Sequence, residues 1–384
     1  MLRFASCIAA CLLIGTVHAK TIHVGPGKQF KRLSQAMSVV RNNDTILIDP
    51  RTNLSGDTCQ IRANNVTIRG LARDRLARFV APRSIPNRKA IFVVSGNDVT
   101  IENIEFTGAR VRDKNGAGIR AEGRNLTVRN CRFHNCENGI LATPAPGRGG
   151  VVTIEHCEFS HCGLDGLSHN LYINNADKLI FQFNHSHHAR VGHLLKSRAR
   201  ENVIQYNFIT DANDGTSSYV VNLPNGGRGV LIGNIIYQGP HARNKTMIAY
   251  GEEGIRHRNS SLTLINNTLI NRRRGGIFIS VRKTPPAFQL TARNNIFAGG
   301  GQITNAAKHV MSGNFSEGAP LFTNPVQFNF QLQPTSPCID KGKAVNQPLR
   351  PAWEYVHPRS KRKRQTVANI DIGAYESTPN TTSE

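Results

Sequence analysis

Between Gly163 and Gly254 the sequence concentrates residues that can move protons and hold charge. Four segments align without gaps: His169-Asn-Leu-Tyr172-Ile-Asn174, His193-Leu-Leu-Lys196-Ser-Arg198, Tyr219-Val-Val-Asn222-Leu-Pro224 and Met247-Ile-Ala-Tyr250-Gly-Glu252. Side chains two apart on a strand share a face. If each segment is one level of a stack, Leu171, Leu195, Val221 and Ala249 point inward. Tyr172, Lys196, Asn222 and Tyr250 then form one outward column, with Asn174, Arg198, Pro224 and Glu252 beside it. This wall suits proton abstraction next to a carboxylate. Lys196 is the candidate base, its protonation held down by His193, Arg198 and Arg200. Arg198, about 7 Å along the same face, pairs the carboxylate. Tyr172 and Tyr250 are the candidate acids for a leaving oxygen. The catalytic candidates are thus Lys196, Arg198, Tyr172, Tyr250 and His193. His169, Asn170, Asn174, Tyr219, Asn222 and Glu252 complete the surface as candidate substrate-binding residues. His169 and His193 share a column and can orient a substrate, or can equally be structural.

A repeat must position such a wall. A β-branched or aliphatic triplet begins at Val66, Val99, Leu126, Val152, Leu179, Val203, Val230, Leu262 and Leu290, in steps of 33, 27, 26, 27, 24, 27, 32 and 28 residues. Short strands broken by Gly, Asn and Asp at this period indicate one turn of a β-solenoid, not a helical repeat. Several triplets are followed by Asn and an apolar pair, as at Asn103, Asn130, Asn234, Asn267 and Asn295. Asn tolerates the left-handed backbone of a sharp turn, and stacked amides can bond from level to level. Phe30, Leu33, Ala36, Met37 and Val40 fall at helical spacing before the first level, so an amphipathic helix is expected to cover the open end of the core. The predicted fold is all-β: a right-handed parallel β-helix of nine to eleven levels with an N-terminal capping helix.

Residues 1–19 have an early Arg, an apolar run and a Val-His-Ala ending, the layout of a secretory signal. A secreted or periplasmic protein is expected, and no later apolar run is long enough to span a bilayer. The β-helix domain is assigned to residues 20–343. Residues 344–384 are assigned to a basic, Pro-rich loop, including Lys361-Arg-Lys-Arg364, and a tail closing on the helix. Lys and Arg number 48 against 25 Asp and Glu, a formal charge of +23 that favours a polyanion. For an exported protein that is an acidic polysaccharide. Nucleic acid is not expected as a partner, because 7% aromatic residues supply no stacking platform. A monomer is expected, with no membrane contact after signal cleavage.

Cys131 and Cys136 recur as Cys157 and Cys162, 26 residues on. Stacked levels bring equivalent positions within disulfide reach, so these residues are either bridges or a reduced apolar ladder. Neither they nor the cluster His185-Ser-His-His188 has a standard zinc spacing, and no metal is assigned.

The repeated Val-Thr-Ile with its Asn turns, and the ending Ser336-Pro-Cys-Ile-Asp340 with Asp371-Ile-Gly-Ala-Tyr-Glu376, resemble the right-handed parallel β-helix proteins of the pectate lyase-like superfamily. Within it, Val191-Gly-His-Leu-Leu-Lys196-Ser-Arg, followed by Tyr206-Asn207, is most similar to the base-bearing level of the chondroitinase B and alginate lyase family. The resemblance implies Lys196 as base of a β-elimination on a uronate polymer. That family places acidic calcium ligands shortly before its lysine, where this chain has Val191, Gly192 and His193. No cofactor is therefore assigned, and calcium lacks its usual ligands. The alternatives are a C5 epimerase, a glycoside hydrolase, which needs paired carboxylates and would draw them from Asp165, Asp177, Asp211, Asp214, Glu252 and Glu253, and a β-helix that binds an exopolysaccharide without cutting it.

Overall fold

In a computed structural model, which describes residues 19–145, 149–164, 166–282 and 284–377, the chain winds as a parallel β-solenoid. The signal-like segment, except for its last residue, and the end of the tail lie outside the described residues. Three parallel sheets run the length of the coil: one of twelve strands, from Thr21–Val24 to His309–Ser312, and two of ten. Each level contributes one short strand to each sheet, as Val99–Glu102, Ile104–Thr107 and Ala117–Ala121 do. Among the described residues, no helix is long and apolar enough to cross a membrane.

The core follows from alternation. In the second sheet Phe79, Phe106, Phe133 and Phe159 all point inward and stack, with ring centroids 6.0, 5.0 and 4.9 Å apart. Parallel register turns one well-packed aromatic per level into a continuous column. The corner between the first two sheets holds a second column. Asn184, Asn207, Asn234, Asn267, Asn295 and Asn314 are linked by side-chain amides, each Nδ2 donating to the next Oδ1 at 2.9–3.1 Å. The residue preceding each inner position takes the left-handed conformation in many levels: Asn103, Asn130, His156, Phe183, Tyr206, Asn266 and Asn294 have φ of 46–58°. The sequence pattern merged these two adjacent columns into one.

Cys131 and Cys157 occupy the same corner position before Asn184: the Cys157 amide donates to Asn184 Oδ1 at 2.8 Å, and the Cys131 amide faces Cys157 Sγ at 3.4 Å. All four ladder cysteines are free and buried. Of the two expected states, the structure has the reduced ladder. Burial pushes the thiols of Cys131 and Cys162 well above the ordinary range, which leaves them unreactive.

Two of the nine triplets are displaced by one residue. Leu179 pairs with Asn202 and Gly229 with Leu262, so Asn202 and Gly229, rather than Val203 and Val230, face the core. A Cβ on Gly229 would stand 2.8 Å from Leu262 Cδ1, so a larger residue there would displace the Leu262 side chain. The capping helix forms as one turn, Leu33–Ala36, with Leu33 and Ala36 buried.

The basic segment expected to be a loop is instead an antiparallel hairpin, Trp353–Val356 with Ser360–Lys363, docked on the coil. His156, Phe183 and Tyr206 stack at their left-handed corners at 5.1 and 5.5 Å. Trp353 packs edge-on against Phe183, and Lys361 Nζ lies 4.7 Å from the Phe183 ring and 4.4 Å from the Trp353 ring. Arg364 is buried on Glu376 at 2.7 Å. The aromatic corner and these ion pairs draw a strongly charged stretch onto the protein.

Candidate active site

The outer face of the third sheet carries one unbroken column. Register pairs Gln60 with Val93, Val93 with Arg120, Arg120 with Leu141, Leu141 with Tyr172, Tyr172 with Lys196, Lys196 with Asn222 and Asn222 with Ala249. Tyr172 and Lys196 therefore sit on adjacent levels, as the alignment predicted, and Leu171, Leu195 and Val221 fill the core. Arg198 follows at the turn out of the same strand. Its Nε donates to the Tyr172 hydroxyl at 2.8 Å, its Nη1 donates to Asn225 Oδ1 at 2.7 Å, and its Nη2 is ion-paired with Glu253. Lys196 Nζ donates to the other Glu253 oxygen at 3.0 Å and lies 5.1 Å from the Tyr172 ring. Two cations thus converge on one carboxylate beside a phenol. Burial would raise the Glu253 carboxyl pKa, but hydrogen bonds and charge from Lys196 and Arg198 hold it below the usual range. Burial opposes the charge on Arg198, yet Tyr172 and Glu253 keep its pKa above the ordinary value.

Three predicted residues belong elsewhere. Tyr250 pairs with Leu223, not Asn222, and is fully buried, its hydroxyl donating to Gly227 O at 2.5 Å. Ile248 takes the core position assigned to Ala249. Placing Ile248 and Tyr250 inside buries two large side chains, whereas the expected register would have exposed them and turned Met247 and Ala249 inward. The same slip removes Glu252 from the Arg198 column: it pairs with Arg282 at 3.2 Å instead. Asn170 is wholly interior. Its amide donates to Phe159 O, Ser186 Oγ and His187 O, and its oxygen accepts from the Cys162 amide, so nothing remains for a substrate.

The others line the wall. His169 and His193 stack at 4.4 Å, and His193 lies 5.0 Å from the Tyr219 ring. The His193 amide donates to His169 Nδ1 at 3.0 Å, and the Tyr219 amide to His193 Nδ1 at 3.3 Å. With Nδ1 accepting, a neutral ring carries its proton on Nε2. Burial, then Lys196, pushes the His193 pKa down to about 3, and burial and His193 hold His169 far below the ordinary value. Asn222 is 2% exposed between Lys196 and Ala249, and its Oδ1 has no protein partner. The register that pairs Tyr172 with Lys196 carries the half-buried Asn174 opposite Arg198.

Sequence reasoning grouped Glu253 only with other scattered acids, and missed Asn225 and His257, whose Nε2 lies 3.1 Å from Arg198 O. The available signal was the step of 32 residues between the triplets at Val230 and Leu262. The extra residues form the turn after Tyr250, with Gly251 and Gly254 at φ of 79° and 91°, and this turn carries Glu253 back over the two levels behind it.

The buried neutral histidines predict acid sensitivity. A folded-state pKa below the unfolded value gives stability that is present above about pH 6.5 and lost as pH falls toward 3. For His193 this amounts to roughly 3 kcal/mol near pH 4, with His169 and His185 adding in the same direction. Asp211, raised to about 6 by burial, opposes them over a narrower interval. Melting temperatures measured from pH 7 down to pH 4 should fall steadily, and His193→Phe should flatten the lower part of that curve.

The sequence profile of the right handed beta helix region matches residues 44–168 and 146–317. The chain belongs to the right-handed β-helix family. Among solved structures the coil is similar to the pectate lyase Pel9A, with a TM-score of 0.63 at 14% identity over 95% of this chain and 98% of that one. An alginate lyase from Paenibacillus sp. str. FPU-7 matches with a TM-score of 0.48 at 12% identity, over 77% of this chain and 99% of its own. An alginate lyase of the PL6 family matches with 0.45 at 13% identity, over 77% and 39%. Among curated proteins none matches the chain. At these identities the likeness establishes the fold, and the chemistry must be argued from the wall.

Proposed function

We propose that this β-helix protein is a polysaccharide lyase that cleaves a uronate-containing polymer by β-elimination, with Lys196 as base. The observation that carries the reading is the single carboxylate, Glu253, gripped by Lys196 and Arg198 beside the Tyr172 hydroxyl. A uronate carboxylate has the same charge and shape, and it can take the place of Glu253 on Arg198. Two carboxylates cannot share the site comfortably, so substrate entry turns Glu253 away and releases Lys196 from its ion pair. The carboxylate, neutralised by Arg198, makes the adjacent C5 proton acidic, and Lys196 removes it. The electron pair forms the C4–C5 double bond as the C4–oxygen bond breaks, and the departing oxygen takes a proton. Tyr172 supplies that proton: its oxygen already accepts from Arg198, so its own hydrogen is available to the groove. His193, uncharged, orients the sugar with His169.

A hydrolase is less well served. Asp177 is paired with Arg200, Asp214 with His188 and Glu252 with Arg282, while Asp211 is buried on the Ser217 amide. Asp165, another acid considered, lies outside the described residues.

Calcium does not fit the cluster. Glu253 already faces two cations, Val191 and Gly192 stand where acidic ligands would be needed, and among the described residues no group of three His, Cys, Asp or Glu is placed to hold an ion. Activity should therefore survive excess chelator unchanged; a loss restored by added calcium would refute a metal-free site.

The direct test is incubation with alginate, pectate and glycosaminoglycans while ultraviolet absorbance of the unsaturated product is followed. No absorbance on any polymer, with solvent hydrogen appearing at C5, would transfer the same residues to epimerisation.

A further inference from the structure

Toward the N-terminal end of the same wall, the turns joining the second sheet to the third form a groove of about 640 Å³ lined by Arg83, Arg88, Arg110 and Arg112, with Ile85 and Asp113. All four arginines are exposed, and none is in an ion pair among the described residues. Some arginines elsewhere on the coil are matched with acids, as Arg69 is with Glu102 and Arg228 with Glu201; what sets these four apart is that they converge on one groove. The groove's turns are also fixed in place. Buried Glu137 accepts from the amides of Val111 and Gly116 at 3.0 and 2.6 Å, which pins the turn carrying Arg110 and Arg112. Asn87 Oδ1 accepts from the amides of Lys89 and Ala90 at 2.8 and 3.0 Å and pins the other, beneath which Ile85 is buried.

Arg120 links this groove to the reactive cluster. It occupies the outward column that continues through Leu141 and Tyr172 to Lys196, and its Nε is buried without a hydrogen-bond partner. Its nearest acid, Glu122, is 3.7 Å away and is bound more closely by Lys89, at 2.5 Å. Arg120 lies three levels from Lys196, about 14 Å along the axis, and the turn bearing Arg83 and Arg88 is one level further, at about 19 Å. Toward the C-terminal end the column itself becomes Asn222, Ala249 and Ser280, which are uncharged, and cations there lie on the turns, at Arg243, Lys245, Arg272, Arg273 and Arg274.

From the convergence of these unpaired cations along the wall we infer that Arg120 and the groove of Arg83, Arg88, Arg110 and Arg112 are an extended anion site that holds the distant carboxylates of a polyuronate bound at Lys196. The inference rests on the lyase reading for the position of the cut, but not for binding. Four unpaired guanidinium groups on fixed turns suit a chain with one carboxylate per sugar, because each can grip a carboxylate bidentately without first being freed from a protein partner. The enzyme would then favour long chains, and the preference would lie in KM.

The test compares the full chain with an Arg110→Ala/Arg112→Ala variant, and independently with Arg83→Ala/Arg88→Ala. All four residues are exposed and distant from the reacting atoms. Rates are measured on a polyuronate and on an oligouronate too short to reach the groove. Binding of the same polymer is measured separately by calorimetry at two salt concentrations on protein carrying Lys196→Ala. Each double variant should weaken polymer binding by about tenfold, lower its salt dependence by about one power of salt per arginine removed, and leave kcat/KM on the short oligomer unchanged. Unchanged polymer binding in both variants would overturn the anion site. If duplex DNA binds as tightly as the polyuronate at equal salt, the carboxylated ligand is wrong. If the arginines matter for binding but no polymer is cut, the anion site stands and the lyase reading fails.

Discussion

Lys196→Ala should reduce turnover of the cleaved polymer by about 10²–10⁴-fold while leaving the protein folded and still able to bind that polymer. The expected size is that of a positioned general base. The fold should survive because Lys196 projects from the outer face of its strand, while Leu195 beside it supplies the core contact. Its ion pair with Glu253 involves a carboxylate that is 40% exposed, and such pairs contribute only about 1 kcal/mol or less. Arg198→Ala should behave differently. Arg198 holds Tyr172, Asn225 and Glu253 at once, so its loss should raise KM, lower kcat and cost more stability than the lysine change. Arg198→Lys should restore little, since an ammonium cannot span three partners lying in different directions. The measurements are steady-state kinetics by product absorbance, a melting curve for each variant, and calorimetric binding for the inactive one. Full activity in Lys196→Ala on a confirmed substrate would remove the lysine from the chemistry.

A third variant separates substrate entry from proton transfer. Glu253→Gln keeps the shape of the carboxylate but gives up its charge. If Glu253 stands where the substrate carboxylate must go, this change should tighten binding of the polymer and lower KM. A residue that merely stabilised its turn would leave KM unmoved. The same variant leaves both cations without their fixed counter-charge, so its binding should depend more steeply on salt than that of the wild type.

How much of this was readable in the sequence depended on whether one level repeats another without insertion. Tyr172 to Lys196 is a step of 24 residues and Lys196 to Asn222 a step of 26, and both were recovered because the Leu171, Leu195 and Val221 pattern fixes the parity. The next step is 27, not the 28 that the alignment used. A strand has a period of two, so a slip of one residue exchanges its faces. Tyr250 entered the core and Glu252 left the Arg198 column for that reason alone. Relative bulk gave a clue: Ile248 and Tyr250 on one parity outweigh Met247 and Ala249 on the other. Asn202 and Gly229 escaped notice by the opposite route, since neither is a residue that hydrophobic patterning places inside. Glu253 and Asn225 were hidden for a different reason. They lie on turns, where no periodicity carries information, and only the folded path of the residues after Tyr250 brings them to Arg198. The docked hairpin was obscured by its composition, because Lys361 lies over aromatic rings and Arg364 is buried on Glu376, partners that no local pattern reveals.

The two tyrosines once assigned to one column now separate catalysis from packing. Tyr172→Phe should lower kcat by about 10²-fold or more, because it removes the proton offered to the leaving oxygen, yet it should change the melting temperature little. The ring remains in place against His169, 5.3 Å away, and only a half-buried hydroxyl is lost. Tyr250→Phe should do the reverse. Its hydroxyl donates to Gly227 O in the interior, where the Ser261 amide also donates at 3.1 Å, so deleting it removes one of two bonds to that carbonyl, at a cost of roughly 0.5–1.5 kcal/mol. The lowered melting temperature should come with kcat and KM within about twofold of the wild type. Tyr250→Ala would go further, opening a cavity beside Phe288, 5.1 Å away, and costing about 3–5 kcal/mol. Because the two Phe variants delete the same atom from the same side-chain type, their contrast does not depend on how much either residue packs. If both lost activity equally with no change in stability, Tyr250 would have to face the groove, and the register that places Leu223 beside it would be wrong.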